Sequence, residues 1–381
     1  MVSIRSWRNR LAGGTAAAVI GIGLGACGKS STSSPPVSAT SPAVASSACS
    51  LAKKDVASYS APFSLPASLP SVNASKLKGK TIAAVYDTLT NPVDVENANG
   101  FKAAAASVGA SVSEFNGQGS PVDQTDAMVS AVSEKPLAIA TWAIVSSSIS
   151  YGLATAKKAG VPVMMGYPGI PAAAPGYWTQ FAAQKSGVVG AEMAFTDAGC
   201  NPHAEFGLLT TPLLTNVNVD TSAFSTKMGQ ICPSCKIYTE VLSLTNLATT
   251  AGPDAVGMVQ AHPGISVVLA SIAPALLNVD PALTTAGFNK VKVIGLAGHS
   301  HSNDKYIQSG QESDLANPSN PVLGWINFDQ LVRQVAQVPA YNTWENVPTV
   351  ILSKADFSEV HPSLTPSNYQ ALFEKAWGVA K

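Results

Sequence analysis

Short, wholly apolar runs alternate with longer stretches carrying one apolar stripe from Lys76 onward. "KTIAAVYDT" predicts a buried strand, and "VENANGFKAAAASVGA" an amphipathic helix stopped by glycine. "SVSEFNG", "LAIATWA" and "VPVMMGY" predict further strands. "DQTDAMVSAVSEKP", capped by Asp123, and "SISYGLATAKKAG" predict the helices between them. Strands apolar on both faces and separated by helices imply a parallel sheet covered on both sides. Right-handed crossovers then make it doubly wound.

After a break the alternation restarts. "YWTQFAA" reads as a connecting strand and "SGVVGAEMAFTDAG" as a helix. The strands "EFGLLTT", "KIYTEVLSL", "ISVVLAS" and "VKVIGLA" then alternate with the helices "NVDTSAFSTKMGQ", "NLATTAGPDAVGMVQAH" and "APALLNVDPALTTAG". "VLGWINFDQLVRQVAQV" predicts a helix crossing back, and "VPTVILSK" a late return strand. The fold class is therefore α/β, with lobe 1 over residues 76–180, lobe 2 over 181–319, and 320–381 returning to lobe 1. No linker composition marks the boundary near Gln180, so crossing strands join the lobes around a cleft. Ligands of open α/β sheets sit beyond the carboxyl ends of the strands. Here those ends are Tyr86, Phe115, Trp142, Gly166, Thr210, Leu244, Ser271 and Gly298.

The N-terminal region changes the picture. Arg5, Arg8 and Arg10 precede the short apolar run "LAGGTAAAVIGIGLGA", the pattern of an export signal over residues 1–26. The run is shorter than the roughly 20 apolar residues that span a bilayer. "LGAC" at Leu24–Cys27 resembles the lipobox of bacterial lipoproteins, in which the cysteine receives diacylglycerol, and which implies lipidation (palmitate-type acylation) at Cys27. Residues 27–75 are then anchor, tether and lead-in, with the Ser/Thr/Pro/Ala-rich Gly28–Ala48 stretch too polar and repetitive to bury a core. This places the folded part outside the cell, anchored to the outer face of the cell membrane. Of the 381 residues, 12% are charged and the net charge is zero. Signal cleavage removes three arginines and no acid, leaving about −3. No basic run points to nucleic acid.

With Cys27 lipidated, Cys49, Cys200, Cys232 and Cys235 form an even set in an oxidising compartment, the setting of structural disulfides. "CPSC" at Cys232–Cys235 has redox-motif spacing, but a structural bond is the expected reading. The pairing stays open; a bond from Cys200 to the CPSC turn is geometrically reasonable, because both precede strands of one sheet.

The order of these pieces resembles the type I periplasmic solute-binding proteins, the ribose-binding-like class serving ABC importers. The resemblance runs from about Lys76 to Lys354. It is carried by "NGFKAAAASVGA", "DQTDAMVSAV", "AKKAGVPVMMG", "TTAGPDAVGMVQAHPGISVVLAS", "VKVIGLAG" and "VPTVILSK". It implies two Rossmann-like lobes joined by three crossovers and closing on a small-molecule ligand, a monomer that delivers to an ABC permease without cofactor, metal or catalysis. A lipid-anchored sensor of the same fold and a sugar receptor of the same class are the alternatives.

The chain departs from sugar-binding relatives at the cleft. Tyr167-Pro168 stands where they carry Asp-Arg, Ile272-Ala273 where they carry Asn-Asp, Ala297-Gly298 where they carry Asp-Gly, and Thr226 in place of an arginine before Gly229. Each lost group would have bonded a hydroxyl, so the expected ligand is less polar than a simple sugar. The candidate contacts are Tyr86, Phe115, Trp142, Tyr167, Phe224, Ile272 and Trp325 as apolar surfaces. Asp87, Asn91, Asn116, Thr211, Asn216, Ser271, Gly298, His299 and Asn317 are the polar anchors.

One competing chemistry sits at "GHSHS", Gly298–Ser302, which half-matches the G-x-S-x-G nucleophile elbow. Ser302 occupies the place of the second glycine, and later aspartates with His361 would complete a triad around Ser300. The missing glycine weighs against hydrolysis. His299 and His301 alternate along this loop, and with no third ligand near them in sequence they read as solvated or ligand-facing rather than metal-binding.

Overall fold

The computed structural model describes residues 42–90, 92–168, 177–212 and 215–379. Lobe 1 holds β1 (Thr81–Tyr86), β2 (Ser111–Asn116), β3 (Ile139–Trp142), β4 (Val163–Gly166) and β5 (Trp178–Thr179). They form a parallel sheet of order β2-β1-β3-β4-β5. Its central strands are buried on both faces, whereas edge strand β2 is largely open. The continuous apolar runs of the sequence thus sit where helices cover both sides. The covering helices are α2 (Pro92–Ser107), α3 (Pro121–Ser133) and α4 (Ser150–Ala159). Ser120 caps α3 by accepting from the Asp123 amide; the expected cap, Asp123, lies inside the first turn, where its charge suits the helix dipole.

Lobe 2 holds α5 (Ala183–Asp197), β6 (Glu205–Thr210), α6 (Thr215–Ile231), β7 (Lys236–Val241), α7 (Leu247–Ala261), β8 (Ile265–Ala270), α8 (Ala273–Thr285) and β9 (Lys292–Gly295). Then come α9 (Asp304–Ser309), β10 (Glu312–Ala316) and, after α10 (Asn320–Ala336), β11 (Val350–Leu352). The sheet order is β11-β10-β9-β8-β6-β7, with β11 antiparallel and the rest parallel.

Two placements differ from the sequence reading. The return segment does not belong to lobe 1 throughout. The buried helix α10 packs on α2 there, but β11 extends the lobe 2 sheet with α11 (Phe357–Ser363) against it, and α12 (Tyr369–Trp377) then returns to α10. The lead-in also crosses, with Phe63 packed among lobe 2 residues and Leu69 and Val72 in the lobe 1 core. Among the described residues, five segments therefore join the lobes, near residues 64–68, 180–182, 317–319, 337–349 and 364–368, where the resemblance implied three.

The second difference is α1 (Pro42–Tyr59), a helix where the tether was expected to run to Ala48. It packs on α5, burying Ala52, and Cys49 is bonded to Cys200. The other disulfide joins Cys232 to Cys235. The bond considered from Cys200 to the CPSC turn is thus replaced by one that fastens α1 to the end of α5. Residues 28–41 and Cys27 lie outside the described residues.

Close helix packing fixes lobe 1. A Cβ built on Gly324 of α10 would lie 2.5 Å from the Asn97 carbonyl and 2.5 Å from the Phe101 amide of α2. Asp329 of α10 accepts from the Arg333 guanidinium at 2.8 and 3.3 Å and from the indoles of Trp344 at 2.9 Å and Trp377 at 2.8 Å. Arg333 donates onward to the Pro70 carbonyl. A buried charge with this many donors ties α10, α12, the lead-in and the crossing segment together.

Candidate functional site

A cleft of about 320 Å³ opens between the lobes at the carboxyl ends of the strands, within the size range of small-molecule sites. The β1–α2 connection contributes Asp87, Thr88 and Thr90, and α2 contributes Val93 and Asp94. Trp142 ends β3 and Tyr167 follows β4, with their rings edge-on at 4.6 Å; Phe181 at the crossing stacks on Tyr167 at 3.8 Å. The Trp142 indole donates to Asp94 at 2.7 Å, which sets the ring as a wall. Lobe 2 opposes these with Leu244, Leu247, Ala248, Ile272, Pro274, Leu277 and Ala297, relieved by Thr245, Asn278 and His299. Asn317 and Asn320 close the hinge side. Larger but open depressions lie elsewhere, including one on the outer face around Ser150, Leu153 and Lys157, away from the strand ends.

The two walls differ in character. Asp87 and Asp94 put carboxylates on the lobe 1 side, the lobe 2 wall is mostly aliphatic, and among the described residues no lysine or arginine lines the cleft. One carboxylate oxygen of Asp87 and the amide oxygen of Asn317 are buried without a hydrogen-bond partner. Asn317 uses its amide nitrogen on Thr349 at 3.0 Å. Burial, and then the charge of Asp94, push Asp87 well above the usual carboxylate range. Burial likewise raises the Tyr167 phenol.

Seven of the residues singled out in the sequence meet here: Asp87, Trp142, Tyr167, Ile272, Gly298, His299 and Asn317. Others serve the scaffold. Phe224 is wholly buried on the sheet side of α6. Trp325 is buried and stacks on Trp377 at 5.3 Å, because α10 turns that face into lobe 1 rather than toward the crossover. Phe115 packs beside α3, and Tyr86 is buried in the lobe 1 core. Asn116 accepts from the Leu89 and Gln118 amides and so braces two loops. Thr211 and Ser271 are buried at the ends of β6 and β8 and do not reach the cleft. Asn91, and the side chain of Asn216, lie outside the described residues.

The strand end at Leu244 does reach the cleft, but sequence reasoning missed Phe181 at the crossing, and Asp94 and Leu277, whose positions depend on the turn of a helix face. It also missed an acidic patch behind His299. Glu312 and Asp314 sit on β10 and Asp280 on α8, all fully buried. The Asn303 amide donates to both Glu312 oxygens at 2.9 and 3.1 Å. Burial chiefly raises Asp280 to about 7 and Glu312 far above the carboxylate range. His299 Nδ1 meets Asp314 at 2.8 Å and Nε2 meets Asp304 at 2.9 Å. Burial opposes a charge on that ring, but these two carboxylates outweigh it and hold His299 up to about 9. Ser300 caps a short 3-10 turn by accepting from the Ser302 amide. His361 turns to Asp304 and His301 instead of to Ser300.

Two doubly wound parallel sheets facing one another across a cleft, with several segments crossing between them, define the two-lobed type I class of solute-binding proteins. Residues 82–337 match the periplasmic binding protein domain family, and the chain belongs to it. No curated protein sequence matches the chain. Among solved structures, an ABC transporter solute-binding protein from Agrobacterium vitis with bound D-fucose superposes with a TM-score of 0.67 at 15% identity, covering 75% of this chain and 99% of that one. Another from the same organism, with bound allitol, gives 0.66 at 18% identity over 75% and 99%. An ABC sugar transporter subunit from Rhodobacter sphaeroides gives 0.65 at 16% over 73% and 99%. The chain is thus a solute-binding protein of the periplasmic binding protein family, extracytoplasmic and not an enzyme.

Proposed function

We propose that this receptor, held at the outer face of the membrane through lipidated Cys27, delivers to its importer a small, uncharged, amphiphilic solute less polar than a simple sugar. The contrast between the cleft walls carries the reading. Hydroxyl donors of such a solute would satisfy the one Asp87 carboxylate oxygen and the Asn317 amide oxygen that are buried without partners, and buried acceptors left unpaired are costly. Its apolar face would lie on Ile272, Leu277 and Leu244, while Trp142 and Tyr167 offer ring surfaces. Two carboxyl groups on one wall, Asp87 and Asp94, disfavour an anionic ligand. A solute touching both walls favours the closed state, since only there are both contacts made.

Trp142 lines the cleft and Trp325 does not, so closure is expected to register in the fluorescence of Trp142. A titration panel of monosaccharides, deoxygenated or alkylated polyols, aromatic acids and hydroxylated terpenoid or sterol-like solutes tests the reading. Hydroxylated amphiphiles are expected to bind, and Trp142→Ala to weaken them by roughly 1–3 kcal/mol, the scale for losing a buried aromatic contact. Micromolar binding of an unmodified monosaccharide, with the amphiphiles silent, favours the second reading, a sugar receptor; the sugar- and polyol-bound proteins of this fold motivate that alternative.

Anchoring rests on the "LGAC" box after an apolar run. Cys27→Ser is expected to abolish metabolic labelling with a fatty-acid analogue and to release the protein from membranes. Persistent labelling of that variant would refute the anchor.

A further inference from the structure

Three of the chain's five histidines converge with an aspartate at one corner of lobe 2. His299 follows β9, His301 lies in the next turn, Asp304 opens α9, and His361 arrives from α11, which lies against β11. One donor atom from each lies within 4.8 Å of all the others. His301 Nδ1 and His361 Nε2 face each other at 3.0 Å. Asp304 stands 2.9 Å from His299 Nε2, 3.2 Å from His361 Nε2 and 3.6 Å from His301 Nδ1. We propose that His299, His301, His361 and Asp304 bind one divalent transition-metal ion, zinc by preference, on lobe 2 beside the solute cleft.

Four groups placed around a zinc ion with bonds near 2.0 Å stand roughly 3.3 Å apart in a tetrahedron. The measured separations fall on either side of that value. Imidazole nitrogens favour zinc, nickel or copper over calcium and magnesium, which take oxygen ligands. The surroundings are those of a metal-bound histidine. Asp314, fully buried, meets His299 Nδ1 at 2.8 Å and fixes the ring with Nε2 turned to the cluster, the usual outer partner of a ligating imidazole. Phe357 stacks on His361 at 4.5 Å and sets that ring from outside. His301 is half-exposed, which gives an ion a path in. The neighbouring group of His299, Glu312 and Asp314 is a poorer site. It is fully buried, and Asn303 already occupies both Glu312 oxygens. An ion held by the four ligands would staple α11 to the 299–304 loop and stiffen the cleft wall that His299 contributes.

The test uses the purified, folded mature protein, stripped with EDTA and desalted. Zinc is titrated in and the bound metal counted by mass spectrometry, with cobalt as a spectroscopic substitute. One equivalent of zinc and the intense visible bands of four-coordinate cobalt are expected. His301→Ala, at a half-exposed position that leaves the core untouched, is expected to abolish stoichiometric binding, and His203→Ala, at a distant exposed histidine, to leave it intact. Asp314→Asn keeps the four ligands but removes the group orienting His299, and is expected to weaken binding about 10–100-fold. Failure to retain one equivalent, or a His301→Ala protein that binds zinc like the parent, would overturn the proposal and leave the four side chains as a hydrogen-bonded network. None of these readouts depends on the identity of the transported solute.

Discussion

Asp220 shows how a single buried group sets the response to pH. It lies on α6, 1% exposed, with one carboxylate oxygen unpartnered. Burial alone pushes it well above the usual carboxylate value. The folded chain therefore holds this proton after the unfolded chain has lost it. As pH rises beyond about 4, the ordinary aspartate value, the unfolded state is favoured progressively until the folded value is passed. Asp220→Asn removes the ionisation but keeps the shape. Its melting temperature is expected to exceed that of the parent at neutral pH, and the gap to close as the pH falls to 4. A gap that is constant with pH, measured by thermal melts across that range, would mean the carboxylate is not held protonated by burial.

At the scale of elements, legibility followed the hydrophobic pattern. Runs such as "TIAAVY" and "ISVVLA" announced central parallel strands because both of their faces are covered, and they appear as β1 and β8. β10 was invisible for the opposite reason. "ESDLA" carries Glu312 and Asp314 at fully buried positions, and no periodicity argument places two acids inside a sheet. Their burial is tolerated because Asn303 and His299 bond them. The Ser/Ala-rich start of α1 read as tether because its stabilisation comes from a distant docking partner, α5, rather than from its own stripe. Strand ends located Trp142, Tyr167 and Ile272 at the cleft, since the topology fixes where such ends point. Asp94, Leu277 and the partnership of His361 with His301 depend on helix rotation and on contacts 60 residues apart in the chain, which sequence spacing does not encode. Trp325 illustrates the converse. A tryptophan near a crossover is as able to fill a core as a site, and the stack with Trp377 decided the matter.

For the whole molecule, the bond between Cys49 and Cys200 is where the N-terminal segment is made part of the receptor. It spans 151 residues and fixes α1 on lobe 2, while Cys232–Cys235 closes only a local turn. Besides the bond, α1 is held by buried Ala52, by Ala48, Val56 and Tyr59 against the lobe 2 core, and by Lys185 over the Tyr59 ring at 4.9 Å. Lys53 and Lys54 are exposed on this helix, yet a protease needs locally unfolded backbone to cut there. Chain-entropy reasoning gives about 5 kcal/mol as the largest stabilisation for so long a loop, with less when the denatured state retains structure. Replacing both cysteines by serine is therefore expected to lower the melting temperature and to expose Lys53 and Lys54 to trypsin. The solute response of Trp142 should survive below the new melting point, because among the described residues none of α1 lines the cleft. Trypsin cleavage at Lys53 or Lys54 that is equally fast with and without the disulfide would show that α1 is not held by it.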